Sequence, residues 1–180
     1  KQIVLLGPSH RVGFTGLAVS DAHYYQTPLG DIPIDRFVID NILKLPQVSI
    51  IEQAHDQEHS LEVQLPFLQE ILDDFTLVPI VVGDASTESV SEVLETLWGN
   101  ESTLILISSD LSHFHNYQTA QQLDNNTCSA IEKLQTDDIG FDNACGRIPI
   151  KGLLRSAIQH NLSVTTLALW NSYDSAGHSL

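Results

Sequence analysis

Four short polar stretches carry the residue types that hold metal ions or move protons. Gly7-Pro8-Ser9-His10 puts an imidazole in a rigid turn after an apolar run, where a side chain is aimed with little freedom, although a plain surface histidine fits the same pattern. Ser108-Ser109-Asp110-Leu111-Ser112-His113 sets a carboxylate and an imidazole three residues apart. At that spacing the carboxylate can fix the imidazole tautomer and make an oriented base, or Asp110 can cap the next helix and leave His113 in solvent. Asn143-Ala144-Cys145-Gly146-Arg147 places a thiol near a helix start, which favours the thiolate, against the alternative of a small buried hydrophobe. In His55-Asp56-Gln57-Glu58-His59-Ser60-Leu61-Glu62, Glu58 and His59 read either as ligand and neighbour or as the opening of a helix.

Cys128 falls within a helical pattern and reads as inert, while His23, His115, His160 and His178 have no partner pattern and read as surface residues. The sequence holds no Walker loop, GxGxxG, HExxH, GxSxG or CxxC. The commonest nucleotide, zinc-protease and serine-hydrolase mechanisms are thereby set aside.

The elements that must position these residues alternate between strands and helices. Gln2–Leu6 is a continuous apolar run and reads as a buried strand, with shorter strands over Phe14–Ser20 and Val48–Ile51. Thr27–Asp31 is turn chemistry. Asp35–Leu45 carries a helical stripe halted by Pro46, and Leu61, Leu65, Leu68 and Leu72 keep helical spacing around Pro66. Strands over Phe75–Val82 and Thr103–Ile107 flank a helix over Thr87–Trp98. Helices over Asn116–Leu134 and Pro149–His160 precede a strand over Leu162–Leu169. This order predicts one α/β domain spanning residues 1–180, with a largely parallel or mixed sheet covered by helices on both faces. In such sheets ligands gather at the carboxyl ends of the strands, where His10 and Asp110 fall.

The 180 residues include 8 Lys and Arg against 23 Asp and Glu, a formal charge of −15. Such a chain repels phosphate backbones, which argues against nucleic-acid binding. No apolar run is long enough to span a bilayer and no signal-peptide pattern opens the sequence, so no membrane partner is expected. Two cysteines make no disulfide framework, and the expected location is cytoplasmic.

Six ordered segments carry a resemblance: LLGPSH (Leu5–His10), TPLG (Thr27–Gly30), EHSLEVQLPFL (Glu58–Leu68), VPIVVG (Val78–Gly83), SSDLSHF (Ser108–Phe114) and ACGRIPI (Ala144–Ile150). In this order they resemble the Memo-like family, named after a mediator of cell motility, over essentially the whole chain. That family is similar in fold to the LigB-type class III extradiol dioxygenases, so the resemblance implies a central sheet with a non-haem metal site at one end. It implies His10 and Cys145 as metal ligands, Asp110 and His113 as pocket residues with His113 at the position of the dioxygenase base, and Ser9, Glu58, His59 and Arg147 as groups around them. It also implies an upstream Pro-His-Ala-Gly-Tyr segment with one more histidine and a closing strand after Asn171–Leu180. Neither lies in this sequence, which opens at Lys1 and contains no Met; an incompletely given chain is the expectation.

Cys145 stands where the dioxygenases carry a carboxylate. A thiolate suits softer ions than a 2-His-1-carboxylate face does, so the expected ion is iron or copper, with zinc as a third choice. Two functions follow from the resemblance: metal-dependent redox chemistry on a small molecule, or recognition of a peptide or partner by a degenerate dioxygenase pocket. Family members in bacteria and archaea often accompany radical-SAM and AMMECR-type proteins, which are the expected protein partners.

Overall fold

The computed structural model describes residues 1–99 and 101–176. In chain order the elements are β1 (Gln2–Pro8), β2 (Leu17–Val19), β3 (Tyr24–Thr27), β4 (Gly30–Pro33), α1 (Arg36–Ile42), β5 (Val48–Ile50) and α2 (Glu52–Asp56). A 3-10 turn, Glu62–Gln64, leads into α3 (Leu65–Ile71), followed by β6 (Thr76–Val82), α4 (Thr87–Leu97), β7 (Thr103–Ile107), α5 (Tyr117–Glu132), α6 (Arg147–Gln159) and α7 (Ser172–Ala176). One sheet has the order β5-β2-β6-β1-β7, and β3 with β4 forms a separate hairpin. Every pairing in the main sheet is parallel except β2 with β6. The predicted α/β architecture is therefore the observed one.

The continuous apolar runs of β1 and β6 are explained by cover on both faces. Val4, Leu6, Val78, Ile80 and Val82 pack with Ile39 and Ile42 of α1 and with Val90, Val93 and Leu94 of α4. The alternate residues Ile3, Leu5, Leu77 and Val81 pack against Ala54, Leu61, Leu65 and Leu68 on the other face. Two helices are capped as their sequences indicate: the Asp35 carboxylate accepts from Val38 N at 3.1 Å, and Ser86 Oγ accepts from Ser89 N at 3.0 Å.

Several local expectations are corrected. Leu162–Leu169 forms no strand. It makes no ladder with the sheet, and Thr166 N donates instead to Glu132 Oε1 at 2.9 Å; strand propensity without a pairing partner does not make a strand. The turn expected at Thr27–Asp31 is observed, as the turn of the β3–β4 hairpin. The helix expected from Leu61 begins at Leu65, and Pro66 sits in its first turn, where its missing N–H costs nothing. Glu58 and His59 consequently lie in irregular chain between α2 and the 3-10 turn, not at a helix start. His160, expected to stand alone, stacks on Trp98 at 3.9 Å and bonds Glu95 Oε2 at 2.9 Å. His23 and His115 are exposed as expected, and His178 lies outside the described residues.

One strand residue decides how close this loop comes to the sheet. A Cβ on Gly7 would meet Ser60 Oγ at 2.6 Å and Leu61 Cδ2 at 3.0 Å, and Ser60 Oγ donates to Pro8 O at 2.9 Å. Only glycine at position 7 lets residues 58–61 lie on the end of β1. Gly7→Ala is expected to destabilise the chain by about 1–3 kcal/mol through overpacking, read as a lowered denaturation midpoint at unchanged slope.

Candidate metal centre

The first corner of the site is built on a buried carboxylate. Glu58 is 5% exposed although it lies in a loop. Its Oε2 accepts from His10 N, and its Oε1 accepts from His59 N and Ser60 N, both at 2.9 Å. The same Oε1 lies 2.9 Å from His10 Nδ1 and 3.2 Å from His59 Nδ1. Burial works against ionisation of Glu58, yet the His10 and Ser60 amides and the His10 ring outweigh it and hold the carboxyl down at about 2. The His10 and His59 rings lie 4.8 Å apart between centroids.

His10, Glu58 and His59 thus form a group that could hold a metal ion, with one donor atom from each lying within 4.8 Å of the others. The hydrogen bonds divide the work among them. Oε1 of Glu58 is crowded by two backbone amides and two imidazole nitrogens, whereas Oε2 accepts from His10 N and keeps a further lone-pair position. With Nδ1 of His10 committed to Glu58, Nε2 is the nitrogen left for an ion, the usual arrangement of a metal-binding histidine held from behind by a carboxylate.

The second corner is the thiol. Cys145 Sγ accepts from Asp110 N at 3.3 Å and lies 3.6 Å from Ser109 Oγ. Cys145 N donates to Asp110 O at 3.2 Å, and Gly146 N donates to Ser109 Oγ at 2.8 Å. A Cβ on Gly146 would meet Ser109 Cβ at 2.7 Å, so the glycine after the cysteine is what lets these two loops touch. Cys145, Ser9 and Arg147 line one cavity of about 340 Å³ at the end of β1 and β6. The Arg147 guanidinium lies 4.8 Å from the centre of the Phe141 ring.

Asp110 and His113 face each other, with Oδ2 to Nε2 at 3.4 Å. They line a larger cavity of about 780 Å³ together with Asp124 and Trp170. Asp124 holds this loop by accepting from Ser112 N at 2.9 Å, whereas the cap of α5 is Asn116. Asp110 therefore does not cap the helix. The structure thus places His10, Glu58 and His59 in one cluster, Ser9, Cys145 and Arg147 around one cavity, and Asp110 and His113 along another.

Two features carry no local signal in the sequence. Glu58 is the hub of the first corner, yet its principal partner stands 48 residues upstream. His55 is bonded at Nδ1 to Tyr25 Oη (2.8 Å) and at Nε2 to Ala18 O (3.2 Å). Its ring donates to the carbonyl and accepts from the phenol, which fixes one neutral tautomer. Burial accordingly lowers the His55 pKa and raises that of Tyr25. Cys128 behaves as the inert thiol expected, its pKa raised first by burial.

Fold and site define an α/β protein with a carboxylate-backed histidine pair and a thiol at the carboxyl end of a mixed sheet. The family model described as Memo-like protein matches residues 1–179, and the chain belongs to that family. It is similar to a MEMO1 family protein of Aquifex aeolicus, 36% identical over 159 residues that cover 83% of this chain and 60% of the relative. It is likewise similar to Protein MEMO1 of Xenopus laevis, 29% identical over 189 residues covering 88% of this chain and 63% of that protein. A MEMO1 family protein of Methanobrevibacter smithii is 31% identical over 137 residues, covering 73% and 49%. The chain spans between about half and three fifths of the length of these relatives. No helix among the described residues is long and apolar enough to cross a membrane.

The lowered Glu58 pKa makes an acid-stability prediction. Relative to its ordinary value of 4.5 the folded carboxyl titrates at about 2, so its contribution is complete above the unfolded value and is lost as pH falls from 4.5 towards 2. Glu58→Gln replaces an acceptor facing amide donors and removes that titration. In chelator, the stability gap between the native chain and Glu58→Gln should be widest near pH 7 and close over this window, as followed by urea unfolding at stepped pH.

Proposed function

We propose that this chain binds a non-haem metal ion, iron or copper, through His10 and Cys145, and that the ion serves dioxygenase-like redox chemistry on a small substrate. The observation that supports the reading most is the Glu58–His10 pair. A buried carboxylate bonded to Nδ1 at 2.9 Å orients an imidazole that is 33% exposed, so its other nitrogen is presented towards a ligand. The donor chemistry fits: imidazole suits iron, copper and zinc alike, and the thiol biases the site towards softer ions. When bound, the ion would supply a redox-active Lewis acid. The resemblance to the dioxygenases adds the expectation that oxygen chemistry is served here.

The chain's own residues have distinct tasks in this reading. Glu58 holds His10 and raises its basicity towards the ion. His59 stands beside it on the substrate side. Asp110 fixes the ring of His113, and His113 gives or takes a proton at Nδ1, the nitrogen that Asp110 does not face. Arg147 and Ser9 line the adjoining cavity and would meet anionic or hydroxyl groups of a substrate.

Metal analysis of the purified chain tests this. His10→Ala or Cys145→Ala should lose the ion, and Glu58→Gln should weaken it roughly 10–100-fold. His113→Ala should keep the ion and lose about a hundredfold in metal-dependent oxygen uptake. If His59→Ala loses as much metal as His10→Ala while Cys145→Ala loses none, the His/Glu/His group rather than the thiol holds the ion. Retention of metal by His10→Ala would refute the reading, and stoichiometric metal with no turnover in any substrate screen would leave a binding pocket instead of an enzyme.

A further inference from the structure

The loop that follows β7 is held by a second buried carboxylate, Asp124 of α5, and this one is poorly matched. It is 6% exposed, about as far out of water as Glu58. Both oxygens of Glu58 accept hydrogen bonds, with the amides of His10, His59 and Ser60 among the donors. Asp124 accepts one side-chain bond, from Ser112 N to Oδ1 at 2.9 Å. Among the described residues its Oδ2 has no hydrogen-bond partner and no ion pair. The hydroxyl next to it is in the same condition, since Ser112 Oγ is buried without a partner among the described residues. A charge taken out of water with so little compensation is costly, and the formal charge of −15 on the chain adds to that cost.

The space beside this carboxylate has the size and lining of a ligand pocket. Asp124 lines the cavity of about 780 Å³ that holds Asp110 and His113, and also a smaller one of about 230 Å³; Trp170 lines both with it. Trp170 is 70% exposed, so its ring is open to contact. No Lys or Arg among the described residues lines either cavity. The walls therefore present a carboxylate, an unmatched hydroxyl and an indole, with no counter-charge. That set recognises an organic cation: the carboxylate accepts a charge-assisted N–H bond, and the ring face attracts the charge. An anion would be repelled by Asp110 and Asp124, and a neutral hydroxyl would leave the carboxylate charge unmet. A hard divalent ion asks for about six oxygen ligands and gains nothing from an indole; the three-donor group among the described residues is at His10, Glu58 and His59.

We propose that this cavity takes an organic ammonium ion, held by Asp124 Oδ2 and the ring of Trp170. The inference rests on the reading of this pocket as the one where His113 meets substrate, and it names the class of that substrate. It is an amine, charged at neutral pH, on an apolar frame that packs beside Leu111 and Leu169. Rotation of the Ser112 side chain would bring its hydroxyl to a second N–H of the ammonium, which carries three donors. Asp124 and Trp170 are then specificity-determining residues of the pocket.

Three probes on one frame test this at neutral pH in chelator: phenethylammonium, phenethyl alcohol and phenylpropionate, followed by the nuclear magnetic resonance signal of the Trp170 indole N–H. The ammonium should bind at least about tenfold more tightly than the alcohol, the size of one charge-assisted hydrogen bond, and phenylpropionate should leave the signal unmoved. Asp124→Asn keeps an acceptor for Ser112 N and removes the charge. It should cost the ammonium at least about tenfold and the alcohol nothing. Trp170→Leu, followed by the Ser112 amide signal, should cost the ammonium about threefold or more. Should Asp124→Asn not fold, Trp170→Leu and the ratio of ammonium to alcohol still decide. Working without metal separates this outcome from that of the metal centre: a chain that never holds an ion can still bind the ammonium, and a chain that ignores the ammonium can still hold an ion. Equal affinities for ammonium and alcohol, tighter binding of phenylpropionate, or no binding by any probe would overturn the inference. So would an ammonium affinity unchanged by Asp124→Asn or by Trp170→Leu, or displacement of the ammonium by calcium added in excess of chelator, which would assign Asp124 to a metal ion.

Discussion

The site depends on one buried anion. Glu58 contributes a carboxylate that is almost wholly out of water in a segment with no regular hydrogen bonding of its own. An isolated ion there would be costly to bury, and its stability comes from the amides of His10, His59 and Ser60 and from the ring of His10. The dependence is mutual. The loop after α2 is held to the end of β1 by these bonds, and His10 owes its ring orientation to the same oxygen atoms. Removing the charge would release both the loop and the imidazole, so the group that organises the fold locally is the one that orients the candidate ligand.

Much of this arrangement was legible in the sequence, and the parts that were not share a cause. The layers followed from periodicity, because β1, β6 and β7 are apolar without alternation while α4 carries an apolar stripe. His10, Asp110, His113 and Cys145 could be singled out because each follows or precedes a clear element. Glu58 was expected around the ligands, but its local pattern could not show how: a loop glutamate next to a histidine looks the same whether solvated or buried, and its burial is decided by Gly7, 51 residues away. His55 was illegible for the same reason, since its partners are Tyr25 on the hairpin and Ala18 on β2. The strand expected at Leu162–Leu169 was read from propensity, and propensity says nothing about whether a neighbour's edge is engaged.

The two clusters lie at the same end of the sheet because of strand register. β1 and β7 are adjacent and parallel, with Leu6 opposite Ile107, and Ser108 N donates to Leu6 O at 2.8 Å just past that pair. The chain therefore leaves the sheet at two neighbouring points, towards Ser9 and His10 on one side and towards Ser109 and Asp110 on the other. An antiparallel pairing would have sent these two exits to opposite ends of the sheet. The thiol is then brought to the second exit by a loop 35 residues further along, and this needs close contact rather than another strand. Gly146 allows it, since any side chain there would strike Ser109. Parallel register brings the two exits to one end of the sheet, and a single missing Cβ brings the cysteine to the second of them. A change at either point would move these loops without altering a single candidate ligand.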